Sequence, residues 1–128
     1  SIPDLIKLAK YISKNLRFVD HVALMGLEIT GYTRANLEEL WIDQWDYKDI
    51  LSDAIEILND YNIPVSIYNH QLCLINEKVY RFYKHSISDW KNEYLDECNE
   101  CTRKHSCGGF FSTQIRYKHS KNITPFKN

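Results

Sequence analysis

No apolar run in this chain approaches the length a helix needs to cross a bilayer, and nothing at its start reads as a secretory signal peptide. A helical membrane span is therefore excluded, and a reducing, cytoplasmic compartment is expected. Cysteine is scarce as well, with 4 in 128 residues, which is thinner than the cystine scaffolds of small secreted domains. The even count permits two disulfides, but density and compartment argue against them. Acid is missing from the end: after Cys101 there is no Asp or Glu, while Arg103, Lys104, Arg116, Lys118, Lys121 and Lys127 all follow. No pair among His21, His70, His85 and His119 has the spacing of a helix-borne metal site. The chain opens on Ser1 rather than Met, which reads as processing or as a piece of something longer.

What is there begins with charge segregation. The formal net charge is only −1, yet Glu28, Glu38, Glu39, Asp43, Asp46, Asp49, Asp53, Glu56 and Asp60 face only Arg34 and Lys48 over the same stretch. The basic tail is open to three readings. It can dock on that acidic segment, it can offset a negatively charged group bound nearby, or it can meet nucleic acid with Phe110, Phe111 and Tyr117 stacking on bases. The last is the weakest, because six charges spread over a tail make a thin patch.

With 44% hydrophobic residues the chain can bury one core, and the first half has a legible order. Ser1-Ile2-Pro3-Asp4 is a helix start, with Ser1 as cap, Pro3 in the first turn and Asp4 favourable to the dipole. Leu5, Ala9, Ile12 and Leu16 mark one face of a helix over 3–16. The run Val22 to Leu27, in a strand over 21–29, reads as covered on both faces. Asp46 caps a helix over 47–61 with the stripe Ile50, Ala54, Leu58 and Tyr61, and a strand over 64–69 follows. A third helix is expected at about 77–90. The fold class is α/β, with two parallel strands and helices, too few to close a barrel. The connection from Thr30 to Trp45 is long for a βα loop and leaves the ligand-binding edge of such a sheet. Gly31, Thr33, Arg34 and Asn36 there, with Glu28, Ser66 and Asn69 at strand ends, are candidate contacts, against the plain alternative of a solvated loop.

The cysteines carry the chemistry. Cys98-Asn-Glu-Cys101 and then Cys107-Gly-Gly form C-x2-C-x5-C, and Cys73 upstream completes a set of four thiols. Soft ligands of that kind select zinc or an iron–sulfur cluster over a hard ion. Cys73 also suits simple core packing, since it lies in Leu72-Cys73-Leu74-Ile75. His105, inside the triplet, reads as a surface residue because four thiols already saturate a site.

Several longer stretches carry a resemblance: Val19 to Glu28, Ser66 to Cys73, Ser86 to Asn92, Cys107 to Phe111, and the closing Ile123-Thr124-Pro125-Phe126. Together they resemble the C-terminal part of the HxsC-like radical S-adenosylmethionine maturases of His-Xaa-Ser systems. That resemblance implies the end of a partial (β/α)6 barrel over 1–72 and a cysteine-rich SPASM- or twitch-like extension over 73–128. It implies that Cys73, Cys98, Cys101 and Cys107 ligate an auxiliary 4Fe–4S cluster that relays electrons or stabilises the fold. It also implies that Glu28, Ser66 and Asn69 lie near S-adenosylmethionine, and that the partners are the rest of the barrel and a peptide substrate. The family's C-x3-C-x2-C signature is absent, so this chain alone should not cleave S-adenosylmethionine. The alternative is a small zinc-binding interaction domain held by the same four cysteines.

Overall fold

The structure is a computed structural model, and it describes residues 2–16, 18–26, 41–85 and 93–127. A 3-10 turn, Ile2–Asp4, runs directly into helix α1, Leu5–Asn15, with Asp4 at its N-cap. The expected cap, Ser1, lies outside the described residues. Ala9 and Ser13 are buried on α1, and Leu5, Ile6 and Ile12 pack beside them. Ser13 sits there without an orphaned hydroxyl, because its Oγ donates to the Ala9 carbonyl at 2.8 Å.

Strand β1, Val22–Met25, pairs in parallel with strand β2, Val65–Tyr68, in the register Val22 to Val65 through Met25 to Tyr68. The sequence reading of β1 as covered on both faces needs correcting. Val22 and Leu24 are half-buried against the core, whereas Ala23 is exposed and Met25 is 62% exposed. It is β2 that is buried on both faces, with Val65, Ser66 and Ile67 all at 5% exposure or less. The reason is position: β2 lies between β1 and a one-residue parallel bridge from Ile67 to Tyr83, sealed by the Lys84 N–H donating to the Ile67 carbonyl at 2.9 Å.

Helix α2, Gln44–Asp60, links the strands and packs on α1. Its cap is Asp43 rather than Asp46, and the Asp43 side chain accepts from the Trp45 N–H at 3.0 Å. The buried stripe is Tyr47, Leu51, Ala54, Ile55 and Leu58, one step round from the expected one. Ile50 falls on the flank and Tyr61 is exposed beyond the last turn. Asn62, at φ 60°, turns the chain out of the helix in the left-handed region, and the Val22 N–H donates to the Pro64 carbonyl at 2.9 Å to start the sheet.

The third helix also needs correcting. Glu77–Phe82 is a 3-10 turn, after which Tyr83 leaves helical geometry to reach the sheet; residues 86–90 lie outside the described residues. The cysteine-rich part shares the core of the α/β part, since Cys107 and Phe126 pack against the cluster that holds Leu72, Ile75 and Val79.

The carboxyl ends of the strands are clasped by Gly26. Its N–H donates to the Tyr68 carbonyl at 2.9 Å and its carbonyl accepts from the Asn69 side chain at 3.3 Å. A Cβ at this position would stand 2.3 Å from the Asn69 carbonyl oxygen, a backbone atom that cannot swing aside. Gly26→Ala is therefore expected to destabilise the chain by about 1–3 kcal/mol, read as a lower urea midpoint with unchanged slope.

Candidate metal centre

Three turns bring the four cysteines together. Cys73 sits in the 3-10 turn Leu72–Leu74, which follows β2 after Asn69 reverses the backbone at φ 61°. Cys98 lies inside the turn Asp96–Glu100 and Cys101 closes it, its N–H donating to the Cys98 carbonyl at 3.0 Å. Cys107 closes the turn Lys104–Ser106. None of these segments is a helix or strand, and side chains fix them instead. The Tyr94 hydroxyl donates to the Cys107 carbonyl at 3.0 Å, and Gln71 Nε2 donates to the Gly109 carbonyl at 2.9 Å. Phe110, 1% exposed, anchors the segment through its N–H to the Glu93 carbonyl at 2.8 Å.

Cys73, Cys98, Cys101 and Cys107 line one partly open cavity, and all four are free thiols of intermediate exposure. Leu72, Tyr94, Phe110, Ile123, Pro125 and Phe126 wall the rest apart from Gln71 and two cations, Arg103 and Lys104; among the described residues no carboxylate lines it. The cations are steadied by ring faces, with Arg103 at 4.6 Å from the Phe126 centroid and Lys104 at 4.8 Å from that of Tyr94. The thiols sense one another, Cys73 with Cys107 and Cys98, and Cys98 with Cys107 and Cys101. Burial pushes the Cys73 thiol up to about 11, against a backbone hydrogen bond from Thr124 that opposes the rise. Burial likewise raises Cys98. Among the described residues, no three His, Cys, Asp or Glu side chains are gathered at the spacing of a single ion's ligands.

Cys107 is the best-supported sulfur. Its Sγ accepts from the Gly109 N–H at 3.4 Å and the Leu72 N–H at 3.5 Å, so one thiol ties the Cys73 turn to the Gly108-Gly109 bend. Gly109 takes φ 72°, the left-handed conformation that presents its N–H back to the sulfur. Tyr83 joins the same knot: its hydroxyl accepts from the Gly108 N–H at 2.8 Å, donates to the His70 carbonyl at 2.6 Å, and stands 4.0 Å from Cys107 Sγ. Burial drives the Tyr83 phenol well above its ordinary value, so it stays protonated.

The other sequence candidates fall elsewhere. Ser66 is buried at 1% in mid-strand, and the Asn69 amide donates to Gly26; neither is presented to a ligand as an open group. Glu28, Gly31, Thr33, Arg34 and Asn36 lie outside the described residues. Phe110 and Phe111, candidates for base stacking, are buried in the fold. His105 is exposed, as read from the sequence. The tail meets the acidic segment where Asn122 donates to Asp43 at 3.1 Å and Lys118 lies 4.7 Å from the Trp41 ring centroid. Tyr83 and Tyr94 were invisible to sequence reasoning, because a tyrosine that fixes a ligand loop has no periodicity to betray it.

His70, three residues before Cys73, is a core residue and not a ligand. Its Nδ1 donates to the Tyr68 carbonyl at 2.8 Å, which leaves Nε2 to accept from the Tyr47 hydroxyl at 3.1 Å. Burial holds its pKa below the ordinary 6.5. The folded chain therefore keeps His70 neutral while the unfolded chain takes up a proton below 6.5. Stability is complete above that value and is lost as pH falls toward the lowered folded value, by at most about 1.4 kcal/mol per pH unit from this group. Urea midpoints taken from neutral to acid pH check this, and His70→Gln should flatten the acid limb.

No protein-family model, curated protein or solved structure matches this chain. The fold and site define an α/β chain of two parallel strands with an appended cysteine-lined cavity. No helix among the described residues is long and apolar enough to cross a membrane.

Proposed function

We propose that this chain is the auxiliary iron–sulfur portion of a radical S-adenosylmethionine peptide-maturation enzyme, with the two strands as the end of its partial (β/α)6 barrel. The observation that carries the reading is one cavity lined by all four cysteines, drawn from segments up to 34 residues apart in sequence. The chemistry of the donors suits the group, although no three of the described side chains are drawn in to the spacing of one ion's ligands. The sulfurs are soft, N–H groups point at Cys107, and among the described residues the charged ones lining the cavity are Arg103 and Lys104, which suits an occupant of negative charge.

Cys73, Cys98, Cys101 and Cys107 would hold the cluster, which supplies one-electron redox capacity when bound. The chain's own residues do the rest. Leu72, Phe110 and Phe126 supply an apolar wall beside the sulfurs, Arg103 and Lys104 offset charge, and Gly109 and Leu72 orient Cys107. With four thiolates in place no iron is left open for substrate, so electron relay or structural support is the role, and S-adenosylmethionine and peptide belong to the remainder of the barrel.

The test is metal occupancy in variants. Cys73→Ala and Cys101→Ala are expected to lower iron content to the same extent after anaerobic reconstitution. Full occupancy in Cys73→Ala would make that residue core packing and defeat the four-thiol reading. Zinc bound by wild-type chain that refuses iron would instead favour a structural interaction domain held by the same residues.

A further inference from the structure

We propose that Tyr83 is a positioning residue whose single hydroxyl proton follows the charge on Cys107, an inference that rests on the iron–sulfur reading above. The hydroxyl oxygen is pinned by the Gly108 N–H at 2.8 Å, which fills one of its acceptor sites. Its lone proton then has two acceptors within reach, the His70 carbonyl at 2.6 Å and Cys107 Sγ at 4.0 Å. The two lead to different parts of the fold: His70 belongs to the end of β2 and Cys107 to the cysteine extension. Rotation about the C–O bond chooses between them, and the ring need not move, because Tyr83 is held by its bridge to Ile67.

The choice depends on sulfur charge. A neutral thiol is a weak acceptor, so the hydroxyl donates to the carbonyl. A thiolate bound to iron is a stronger acceptor, and stronger again after one electron has entered from an external donor. With a cluster in that reduced state the O–H would turn toward Sγ across the 4.0 Å that separates the two atoms. No bond is broken and the proton stays on the phenol; only its acceptor changes. Hydrogen bonds to ligating sulfur favour the reduced, more negative state and raise the reduction potential. Cys107 differs from the other ligands in having a side-chain donor beside its N–H donors, so Tyr83 is the handle by which the fold sets that potential.

Tyr94 supplies the control. It also reaches Cys107, but its hydroxyl donates to the backbone carbonyl at 3.0 Å and not to the sulfur. Removing either hydroxyl loosens the same bend, and both phenols feel the charge of Cys107, but of the two only the Tyr83 hydroxyl stands within donating reach of Sγ.

The experiment is an anaerobic redox titration of the reconstituted chain, its Tyr83→Phe and Tyr94→Phe variants, and chain with 3,5-difluorotyrosine at position 83. At equal iron and sulfide content, Tyr83→Phe is expected to weaken reduction about tenfold, which is about 59 mV for a one-electron couple. Tyr94→Phe, which removes a hydroxyl from the same cavity without a bond to sulfur, should move the potential by clearly less. Difluorotyrosine keeps the ring and hydroxyl but donates more strongly, so it should move the potential upward, and it serves if the phenylalanine variant does not fold. Equal shifts in Tyr83→Phe and Tyr94→Phe, or no shift on fluorination, would overturn the inference while leaving the cluster in place. Failure of wild-type chain to acquire any iron–sulfur absorption would overturn the underlying reading itself.

Discussion

Cys107→Ala is expected to be the most damaging single change in the cysteine set, removing stable metal loading and weakening the metal-free chain together. The first effect is shared with Cys73, Cys98 and Cys101. The second is particular to Cys107, whose sulfur accepts from Gly109 and Leu72 and stands beside the Tyr83 hydroxyl. Alanine at this position leaves two N–H groups without their acceptor, one of them on the buried Gly109 and the other on the buried Leu72. The cost of stranding such donors is about 1–3 kcal/mol, before any loss of packing by Cys107 against the core. Cys101→Ala shares none of these contacts. It should abolish loading while shifting the metal-free urea midpoint little. Metal analysis and urea unfolding on both variants separate the effects: equal metal-free stability for Cys107→Ala and wild type would mean that the sulfur does not tie the turns together.

Loading itself should produce the largest change in stability. The segment 93–127 contains 3-10 turns and one short helix, α3, Ser112–Arg116. Its buried apolar anchors are Phe110 and Phe111. Such a segment has little core of its own, and its order rests on the Gly108 N–H donating to Tyr83 and on hydrogen bonds from Tyr94 and Gln71. A group bound by Cys73, Cys98, Cys101 and Cys107 crosslinks three turns and would stabilise only the folded chain. Structural thiolate sites are worth about 10–16 kcal/mol of apparent binding energy in zinc-finger peptides. Even a fraction of that would raise the thermal midpoint far more than any point mutation lowers it. Proteolysis should follow the same order, with cleavage near Asp96–Glu100 in the metal-free chain and protection once loaded. Identical midpoints with and without metal would remove the case for a resident group.

How much was legible depended on the kind of force involved. The parallel α/β unit was readable because burial imposes a period, and Ala9, Ile12, Ala54 and Leu58 recur at helical spacing. The errors came where that period is shared or overridden. In α2 two overlapping stripes satisfy the same spacing, and Tyr47 and Leu51 are buried where Ile50 and Tyr61 are not, Tyr47 being held by its hydrogen bond to His70. The third helix failed because a long-range bridge from Tyr83 to Ile67 captured the chain, and no local pattern announces a tertiary contact. β1 reads as apolar throughout, yet Met25 is exposed, since residue type alone does not say which face is covered. The cysteines were found by spacing. The groups that orient them, Tyr83, Gln71 and Tyr94, come from across the fold and leave no trace in the primary structure.

Charge was read correctly as segregated, but its use differs from a single electrostatic dock. Arg103 and Lys104 rest on aromatic rings beside the cysteine cavity, and Lys127 pairs with Glu100 next to Cys101. The basic residues nearest the thiols are thus already placed to face a negatively charged occupant. Of the aromatics that suggested base stacking, Phe110 and Phe111 are spent on the core and Tyr117 is half-buried.

Iron, acid-labile sulfide and zinc per chain, measured after anaerobic purification and reconstitution, test the central claim most directly. The expected result is about four irons with matching sulfide in the wild-type chain, the stoichiometry of a cluster held by four thiolates, and a proportionate loss in each cysteine variant. One zinc per chain, with iron and sulfide absent under the same conditions, would contradict the iron–sulfur account and leave a cysteine-held structural domain in its place.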